Sequence, residues 1–374
     1  MRMLFIAPLP PPITGHSLVS KALCDDLVAK GHAVDVVDLS KDSFKEGVDG
    51  VRRILEVGAI LVAVARKARR SNVIYLTISE SLAGNLKDLF IYLVCARSLS
   101  RIYVHLHGGS IKRQLWDRYP VLYGINRFFL SRIGGAIISG ESHGGIFKGL
   151  VSPERIHIVP NFAPEALFAS EPEVTRVFSA TSPLRFLYVS SMKPRKGCDN
   201  LLEAFLTLPD EIRSEVRLDF AGRFDSPLEE AAFRNRIEGL PRVRYHGVVD
   251  DAQKAALFRE AHVFCLPTSY FEGQPISILE AYASGCAVLT TCPSGILDIF
   301  APGVNGMEIE AGSVTSIAEA IRHLVERRGE LLGVALANRA GALKHYRRAS
   351  FTESVRMILE SDDRIAPSLV ESAA

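Results

Sequence analysis

Two glutamates eight positions apart, Glu272 and Glu280, have the spacing that points most directly to chemistry. They belong to the segment 271–280 (FEGQPISILE), which follows an apolar strand-like run and opens a predicted helix. Carboxylates accept hydrogen bonds from hydroxyl groups, and the amides at a helix N-terminus suit a phosphate. The segment therefore predicts a site for sugar or ribose hydroxyls beside a phosphate. For a bare pair of glutamates, a capping acid followed by a solvated helix acid is the alternative.

A cationic stretch, 188–197 (YVSSMKPRKG), lies between a predicted strand and a predicted helix. Lys196 stands at the start of that helix, where a cation opposes the helix dipole. An anionic ligand explains this position better than a surface lysine does. No Asp-x-Asp motif appears in a plausible loop. Lys196 and the amides before the Glu280 helix are therefore expected to bind a phosphate without a metal.

Two loops of the first half also stand at the ends of predicted strands. His107, followed by two glycines, ends the strand 102–106, and ligands of open α/β sheets gather at such carboxyl ends. His105, two residues earlier on the same strand, is interpreted as a core histidine. The loop 10–17 (PPPITGHS) joins the first strand to the first helix, and a plain helix-capping loop is its alternative interpretation.

Strands and helices alternate along the chain in two successive series. In the first series, strands are predicted at 2–8, 33–37, 73–78, 102–106, 136–139 and 156–161, and helices at 17–30, 51–70, 86–99 and 120–131. In the second, strands are predicted at 185–189, 216–221, 243–246, 263–266 and 287–290, and helices at 198–206, 229–237, 251–260, 276–283, 317–328, 331–343 and 351–360. This alternation predicts an α/β fold with two parallel sheets, each covered by helices on both faces.

Between the two series, 163–183 contains prolines and acids and lacks a clear period, so a domain boundary is expected there. The domains are placed at 1–165 and 183–345, with 346–374 as a C-terminal helix and a frayed tail. Whether that helix packs back onto the first domain is left open. A ligand is expected in the cleft between the two sheets.

Composition excludes several classes of protein. Apolar residues make up 48% of the 374 residues and charged residues 23%, the balance of a soluble globular protein. Six cysteines form no Cys-x-x-Cys pair, which argues against a zinc ribbon and favours reduced thiols in the cytoplasm. The longest nearly uncharged stretch, 57–65, is shorter than the about 20 residues of a membrane span. The apolar N-terminal run is also too short for the core of a signal peptide.

Charge is distributed unevenly between the halves. Residues 1–165 carry 21 Lys and Arg against 14 Asp and Glu, a net charge of +7, whereas the remainder has 23 against 28, a net charge of −5. A basic half suggests a phosphorylated ligand, a membrane surface or a nucleic acid, although ordinary sampling of surface charge is the alternative. A nucleic acid is not expected, because the cations are not interleaved with an aromatic RNA-binding pattern.

One basic segment stands just beyond His107. Lys112 and Arg113 are followed by the charged and aromatic residues Trp116, Arg118, Tyr119, Phe128 and Phe129. Cations mixed with aromatic rings suit the interface between water and an anionic bilayer. The segment therefore predicts an anionic membrane surface as a partner, with attachment to the inner face of the plasma membrane.

The segment 271–280 resembles the Glu-x7-Glu signature of the retaining glycosyltransferases of family four, the group 1 glycosyl transferases, which have the GT-B fold. Its surroundings resemble the family as well, with CLPTS at 265–269 and EAYASGCAV at 280–288. The stretch 188–197 resembles the family's Gly-Arg-(x)-Lys-Gly motif, in which Lys196 matches the lysine and Ser191 replaces the arginine. Lys193 or Arg195 would then supply the cation in place of the arginine, or the diphosphate site has one cation fewer.

The resemblance implies a role for each matching residue. Glu272 would bind hydroxyls of the donor sugar, Glu280 would bind the nucleotide ribose, and His107 would support the donor sugar at the reaction centre. The loop 10–17 would lie near the β-phosphate and the acceptor. The remaining donor-side residues implied by the resemblance are Gly15, Gly222, Val248, Gln274, Pro275, Ile276 and Ser277, and His16, which replaces a family glycine, would lie toward the acceptor.

The resemblance therefore implies an enzyme with two Rossmann-like domains, an acceptor-side first domain and a nucleotide-sugar-binding second domain. It would transfer a hexose from a nucleotide-sugar to an acceptor hydroxyl with retention at the anomeric carbon, without a metal or other cofactor. A UDP-sugar is the favoured donor and GDP-mannose the second. The expected acceptor is a glycan, most simply a lipid-linked one in the synthesis of cell-surface polysaccharide. A sugar-nucleotide isomerase or phosphorylase of the same fold and a non-catalytic nucleotide-sugar-binding protein are the alternatives.

Overall fold

The computed structural model describes residues 1–12, 14–40, 50–179 and 183–361, without the side chains of 50–53. The chain divides into two units. The first contains residues 1–161 together with the residues from 349 onward, and the second contains residues 162–348.

The first unit is built on a parallel six-stranded sheet. Its strands are β1 (Arg2–Ala7), β2 (Ala33–Asp38), β3 (Val73–Thr77), β4 (Ile102–Leu106), β5 (Gly135–Ile138) and β6 (Ile156–Ile158). Its helices are α1 (Gly15–Ala29), α2 (Gly50–Ala68), α3 (Leu82–Val94), α4 (Pro120–Leu130) and α5 (Gly144–Phe147). The strand order is β2-β1-β3-β4-β5-β6. Every residue of β3 and β4 is buried, as expected for strands covered by helices on both faces.

The second unit has its own parallel six-stranded sheet. Its helices are α6 (Glu171–Ser179), α7 (Cys198–Thr207), α8 (Asp210–Ser214), α9 (Pro227–Ile237), α10 (Asp251–Glu260), α11 (Ile276–Ala283), α12 (Val314–Glu326) and α13 (Leu331–His345). Its strands are β7 (Leu184–Val189), β8 (Val216–Ala221), β9 (Val243–Tyr245), β10 (Val263–Leu266), β11 (Ala287–Thr290) and β12 (Gly306–Glu308). The order β12-β11-β10-β7-β8-β9 is the doubly wound order of a dinucleotide-binding sheet.

The last helix, α14 (Arg348–Glu360), packs mainly on the first unit. Arg356 reaches Asp26 of α1 at 3.5 Å, and Glu360 reaches His32 at 2.9 Å. The ring of Phe351 lies 6.2 Å from that of His105, centre to centre. The chain thus returns to the first unit after completing the second. The tail expected to fray after residue 361 lies outside the described residues.

The fold class expected from the sequence, α/β with two Rossmann-like domains, is confirmed. The expected domain bounds need correction, because residues 162–179 fold with the second unit and contain α6. Val174 of α6 packs where Gly285 leaves room for it, since a Cβ on Gly285 would lie 2.4 Å from a Val174 methyl. Tertiary packing therefore orders a segment whose sequence lacks a clear period.

Further elements differ from the expectation, among them the short helices α5 and α8, which were not predicted. The predicted helix 86–99 is α3 followed by a separate 3-10 segment, Ala96–Arg101. Strand β12 was not predicted, because it is only three residues long and pairs with β11 through a glycine. None of the helices in the described parts of the chain combines the length and hydropathy needed to cross a membrane.

Candidate functional site

In the second unit, the loops after β7 and β10 bring a lysine and a glutamate together. The two strands are neighbours and the chain order reverses between them, so their carboxyl ends form a topological switch point. Lys196 Nζ lies 2.5 Å from Glu272 Oε1. Thr268 Oγ1 donates to the same carboxylate oxygen at 2.8 Å. The predicted phosphate-binding lysine and sugar-binding glutamate are therefore direct neighbours.

The two loops are fixed to each other by backbone contacts. Gly197 has φ +84°, and a Cβ there would lie 2.2 Å from the carbonyl oxygen of Pro267, so only glycine fits. The Ser269 amide donates to the Arg195 carbonyl at 2.8 Å. The Arg195 guanidinium lies 4.5 Å from the centre of the Tyr270 ring. The lysine and the glutamate are thus presented by a rigid pair of loops.

Helix α11 begins directly after the glutamate loop and carries the expected donor-side amides. Ile276 and Ser277 are its first two residues, and Pro275 is its N-cap. The side chain of Gln274, just before them, is buried. The first turn of a helix presents amides that have no intrahelical acceptor and carries partial positive charge. The amides of Ile276 and Ser277 therefore favour an anion beside the lysine–glutamate pair, whereas Pro275 has no N–H to donate.

Glu280, one turn further along α11, has a partner that sequence reasoning missed. Its side chain is buried, and Lys254 Nζ of α10 lies 2.7 Å from its Oε1. A charged donor at this distance stabilises a buried carboxylate and fixes its direction. Nothing in the local sequence pairs α10 with α11, and only the packing of the two helices brings the lysine there.

We expect Lys254→Met to weaken nucleoside diphosphate binding about tenfold, because the glutamate carboxylate would lose the charge that holds it. Glu280→Ala should weaken binding at least as much. The double variant should bind no more weakly than Glu280→Ala alone, since the lysine acts through the glutamate. Titration calorimetry of all three variants measures this, with the exposed Lys344→Met as the control. Additive losses would show that Lys254 touches the nucleotide by itself.

Two of the expected diphosphate-binding positions are occupied by local contacts. Lys193 Nζ lies 3.1 Å from the carboxylate of Asp225, with both side chains more than a third exposed. The carbonyl of Ser191 accepts from the Tyr188 hydroxyl at 2.9 Å and from the Lys193 amide at 2.8 Å. The serine thus shapes the turn, and the cation that contacts the glutamate is supplied by the lysine five residues later.

The expected nucleotide-side residues lie in two loops joined by a hydrogen bond. The amide of Gly222, directly after β8, donates to the Gly247 carbonyl at 2.8 Å. Gly222 has φ +152°, and a Cβ there would lie 1.8 Å from the carbonyl oxygen of Ser190. Val248 is 61% exposed. The glycine therefore permits a close approach of three backbone segments beside an accessible valine.

A buried ion pair beneath these loops was also missed by sequence reasoning. Asp219 Oδ1 lies 2.8 Å from His246 Nε2, and Arg217 Nε lies 3.0 Å from Asp219 Oδ2. Burial raises the pKa of Asp219, but the hydrogen bonds from His246 and Arg217 outweigh burial and leave that pKa below its usual value. The carboxylate therefore stays ionised and orients the imidazole at the start of the 246–249 loop.

The first unit contains a cavity of about 820 Å³ at its own switch point, between β1 and β3. It lies at the carboxyl ends of the strands, where ligands of parallel sheets bind. The residues that surround it include Pro8, Pro12, Thr14, His16, Ser17, Ser79, Glu80, Ser81, Lys87, His107 and Gly108. The predicted residues His16 and His107 are thus brought to one cavity, and Gly15 begins α1 beside it.

Three imidazole rings contact one another from this cavity into the core. The ring centres of His16 and His107 are 4.2 Å apart, and those of His107 and His105 are 4.0 Å apart. His105 is fully buried and lies 2.7 Å from the Tyr75 hydroxyl through Nδ1, as its interpretation as a core residue requires. Within the described parts of the chain, no group of three or more His, Cys, Asp or Glu side chains is placed to hold a metal ion.

Burial lowers the pKa of each imidazole. The pKa of His16 falls to about 4, with Lys87 adding to the effect, and that of His105 falls to about 3, with His16 adding. The pKa of His107 lies well below its usual value because of burial and of its two histidine neighbours. All three rings are therefore neutral at pH 7. Among the described residues, none forms a hydrogen bond to the buried His16 Nε2 or His107 Nε2.

Acid should destabilise the first unit. Unfolded imidazoles take up protons near pH 6.5, whereas the folded ones do not until about pH 4 or below, so the unfolded state binds more protons in this window. The free energy of unfolding should fall by about 2 kcal/mol for each of these imidazoles between pH 7 and pH 5. Urea unfolding followed by the fluorescence of Trp116, the single tryptophan and buried in this unit, measures it. His16→Gln should reduce the pH dependence, and an unchanged dependence would contradict this origin.

The acid that follows β3 was not singled out from the sequence. Glu80 Oε1 accepts from the Ser110 and Ile111 amides at 2.5 and 2.9 Å. A Cβ on Gly108 would lie 1.8 Å from the Glu80 carboxylate, so the glycine after His107 makes room for it. The strand-end argument that selected His107 on β4 selects Glu80 when applied to β3. Its carboxylate fixes the loop that carries His107.

The expected basic and aromatic segment divides between surface and core. Its exposed side chains are Lys112, Arg113, Arg118, Tyr119 and Phe128. Trp116 and Phe129 are buried, with ring contacts to Phe147 and Tyr92 respectively. The expectation that the whole segment faces an interface is therefore wrong for these two rings, which belong to the core of the unit.

Residues 183–327 match the family model described as glycosyl transferases group 1. A phosphatidyl-myo-inositol mannosyltransferase of Mycobacterium leprae is 31% identical over 172 residues, 45% of this chain and 44% of the relative. An O-antigen chain mannosyltransferase B of Escherichia coli is 34% identical over 119 residues, 30% of each chain. The matched segments thus span less than half the length of these relatives.

A solved structure shows the same fold over nearly the whole chain. The crystal structure of Anabaena Alr3699/HepE in complex with UDP superposes with a TM-score of 0.76, covering 96% of this chain and 100% of that one. The two sequences are 15% identical, so this likeness concerns the fold alone.

Proposed function

Because residues 183–327 match the family model of the glycosyl transferases group 1, we propose that the chain transfers a hexose from a nucleotide-sugar to an acceptor hydroxyl with retention at the anomeric carbon. The observation that carries the proposal is the 2.5 Å contact between Lys196 and Glu272 at the switch point of the second sheet. In a nucleotide-sugar the diphosphate is bonded directly to the anomeric carbon. A phosphate-binding cation and a hydroxyl-binding acid must therefore be neighbours, as these two are.

The donor would replace the contact between Lys196 and Glu272 with contacts of its own. The lysine ammonium would pair with the diphosphate, joined by amides of the first turn of α11. The released Glu272 carboxylate would accept hydrogen bonds from sugar hydroxyls. Glu280, held by Lys254, would bind the ribose, and the loops of Gly222 and Val248 would lie toward the base. The resemblance implies that His107 supports the donor sugar, and this role remains a prediction.

In the proposed reaction the bond between the anomeric carbon and the phosphate oxygen breaks. The acceptor oxygen bonds to that carbon on the same face, and its proton passes to the departing phosphate oxygen. The chain supplies the charge of Lys196 and the helix amides, which stabilise the phosphate as its negative charge grows. No protein base is assigned. Retention through a carboxylate nucleophile is the other route, and Glu272 is its candidate.

The donor and the acceptor are proposed from the relatives and from charge. The curated relatives are named mannosyltransferases, which favours mannose and hence GDP-mannose, whereas the Anabaena protein holds UDP. Their names also contain a phosphatidyl lipid and an O-antigen chain. Together with the basic first half and the exposed Lys112 and Arg113, they support a phosphate-bearing, lipid-linked acceptor of the cell envelope, reached from the cytoplasmic face of the membrane.

Incubation with UDP-hexoses and GDP-hexoses, with and without a phosphorylated lipid-linked acceptor, tests the function. Acceptor-dependent release of nucleoside diphosphate, with an α-linked product from an α-linked donor by NMR, supports it. Donor consumption into an isomer or a sugar phosphate would indicate an isomerase or a phosphorylase. Saturable donor binding without turnover of any acceptor would indicate a binding protein, the alternative that Ser191 at the arginine position favours.

Chelation should leave the activity largely intact. Lysine and helix amides are proposed to hold the diphosphate, so treatment with EDTA should change the transfer rate by less than about twofold. The rate is measured as nucleoside diphosphate released before and after the chelator is added. Complete loss of activity that Mn²⁺ or Mg²⁺ restores would overturn the metal-independent mechanism.

A further inference from the structure

Helices α3 and α4 of the first unit are clamped side by side. Asn85 and Asn126 are both buried, and each amide nitrogen donates to the other's carbonyl oxygen, at 3.1 and 2.9 Å. The rings of Tyr92 and Phe129 pack 5.7 Å apart, centre to centre, between the same helices. These contacts fix the rotation of each helix about its axis and hence the side chains that each presents outward.

The outward faces of both helices are apolar. On α3 the exposed residues follow the helical period, at Leu82, Leu86, Phe90 and Leu93, and on α4 they do so at Val121, Ile125 and Phe128. We name these seven side chains the α3–α4 ridge. Phe90 and Phe128 are each 54% exposed, and Val121 is 78% exposed. Single exposed apolar residues are ordinary, but stripes on two packed helices are typical of a binding surface.

The ridge is accompanied by cations with almost no acids. Within residues 81–132, all of which the structure describes, the exposed cations are Arg97, Arg101, Lys112, Arg113, Arg118, Arg127 and Arg132, and the exposed acid is Asp117. The Arg132 guanidinium lies 4.0 Å from the centre of the Phe128 ring. The ridge thus has Arg132 at its margin, in a segment whose exposed charges are nearly all positive.

The positive charge around the α3–α4 ridge indicates what binds to it. A second copy of the chain would place one positive margin against another, whereas an anionic bilayer offers lipid phosphates to the cations and acyl chains to the apolar ridge. Exposed phenylalanine and leucine with arginine are the residues with which amphipathic helices lie in a bilayer surface. An anionic bilayer is therefore the surface that fits both features.

We propose that the α3–α4 ridge inserts into the surface of an anionic bilayer, with the arginines of its margin on the lipid phosphates. The other side of α3 faces the cavity of the first unit through Ala83, Gly84 and Lys87. One helix therefore links the bilayer to the cavity. A role of this docking in bringing the acceptor to the cavity rests on the proposed function, whereas the docking itself does not.

Flotation with vesicles of phosphatidylcholine, with or without 30% phosphatidylglycerol, tests the docking. The ridge variant is Phe90→Asp with Phe128→Asp, and the matched control is Leu228→Asp with Met357→Asp, two exposed apolar residues elsewhere. The wild type should bind the anionic vesicles at least tenfold more tightly than the neutral ones. The ridge variant should lose at least tenfold of that affinity and the control less than twofold. Equal losses in the two variants, or none in either, would overturn the proposal.

Three further measurements keep the outcome unambiguous. Thermal unfolding should show both variants folded, as expected for changes at exposed positions. Light scattering should show the same mass for wild type and ridge variant, and a wild-type dimer that the ridge variant splits would mean that the ridge binds a second copy. Donor hydrolysis without vesicles should be equal in both variants. Vesicle binding by a wild type that transfers no sugar would support docking and refute the proposed function.

Discussion

Replacing Glu272 with glutamine is expected to lower the transfer rate by about 10²–10³-fold while the protein stays folded. The amide keeps the size of the side chain and can still accept from Thr268, which donates at 2.8 Å in the native protein. It cannot carry the negative charge that Lys196 neutralises at 2.5 Å, or the charge that would bind donor hydroxyls during transfer. The loss should therefore appear in turnover rather than in stability.

Initial rates with saturating donor and acceptor measure this effect, and Glu353→Gln, an exposed change on α14, is the matched control. The control should retain at least half of the native rate. Nucleoside diphosphate binding to the Glu272 variant should stay within a few-fold of native, because the ribose and base contacts lie elsewhere in the unit. A near-native rate for the variant would remove Glu272 from the reaction centre.

The second large effect is expected from Gly222→Ala, which should destabilise the second unit by about 3 kcal/mol. The new Cβ would lie 1.8 Å from the Ser190 carbonyl oxygen, and the backbone has φ +152°. Neither the clash nor the conformation can relax without moving the loop after β7, which carries Lys196. We therefore expect weaker nucleoside diphosphate binding as well as a lower Tm.

A second glycine with positive φ serves as a control that separates the steric clash from the conformational cost. Gly239 also has positive φ, +75°, but a Cβ there meets nothing within 4 Å. Gly239→Ala should therefore show only the conformational cost, about 1 kcal/mol. The difference between the variants in chemical denaturation reports the clash. Equal destabilisation would mean that the backbone segments around Gly222 can move apart.

The meeting of Lys196 and Glu272 could be predicted from sequence because the rule behind it is topological. Each residue follows a short buried strand, and the carboxyl ends of neighbouring parallel strands share one edge of the sheet. The same reasoning placed His107 at its strand end. Applied to every strand, it also selects Glu80 after β3, whose role as a fixed acceptor of loop amides appears only in the structure.

Contacts between helices could not be predicted in this way. Lys254 reaches Glu280 because α10 and α11 pack together, and no spacing within the chain encodes that distance. The burial of Trp116 likewise depends on Phe147, some thirty residues later, and not on its basic neighbours. Local periodicity gave the bounds of α10 and α11 correctly, but the partners of their side chains are properties of the tertiary structure.

The ion pair between Lys196 and Glu272 has a consequence for the end of the catalytic cycle. The chain holds the glutamate 2.5 Å from the ammonium, so it competes for that cation at a local concentration no free anion can match. Once the sugar has left, the carboxylate has no hydroxyls to bind and is free to return to the lysine. The Glu272 carboxylate then competes with the nucleoside diphosphate for the Lys196 ammonium. The ion pair therefore favours release of the nucleoside diphosphate after transfer more than release of the donor before transfer.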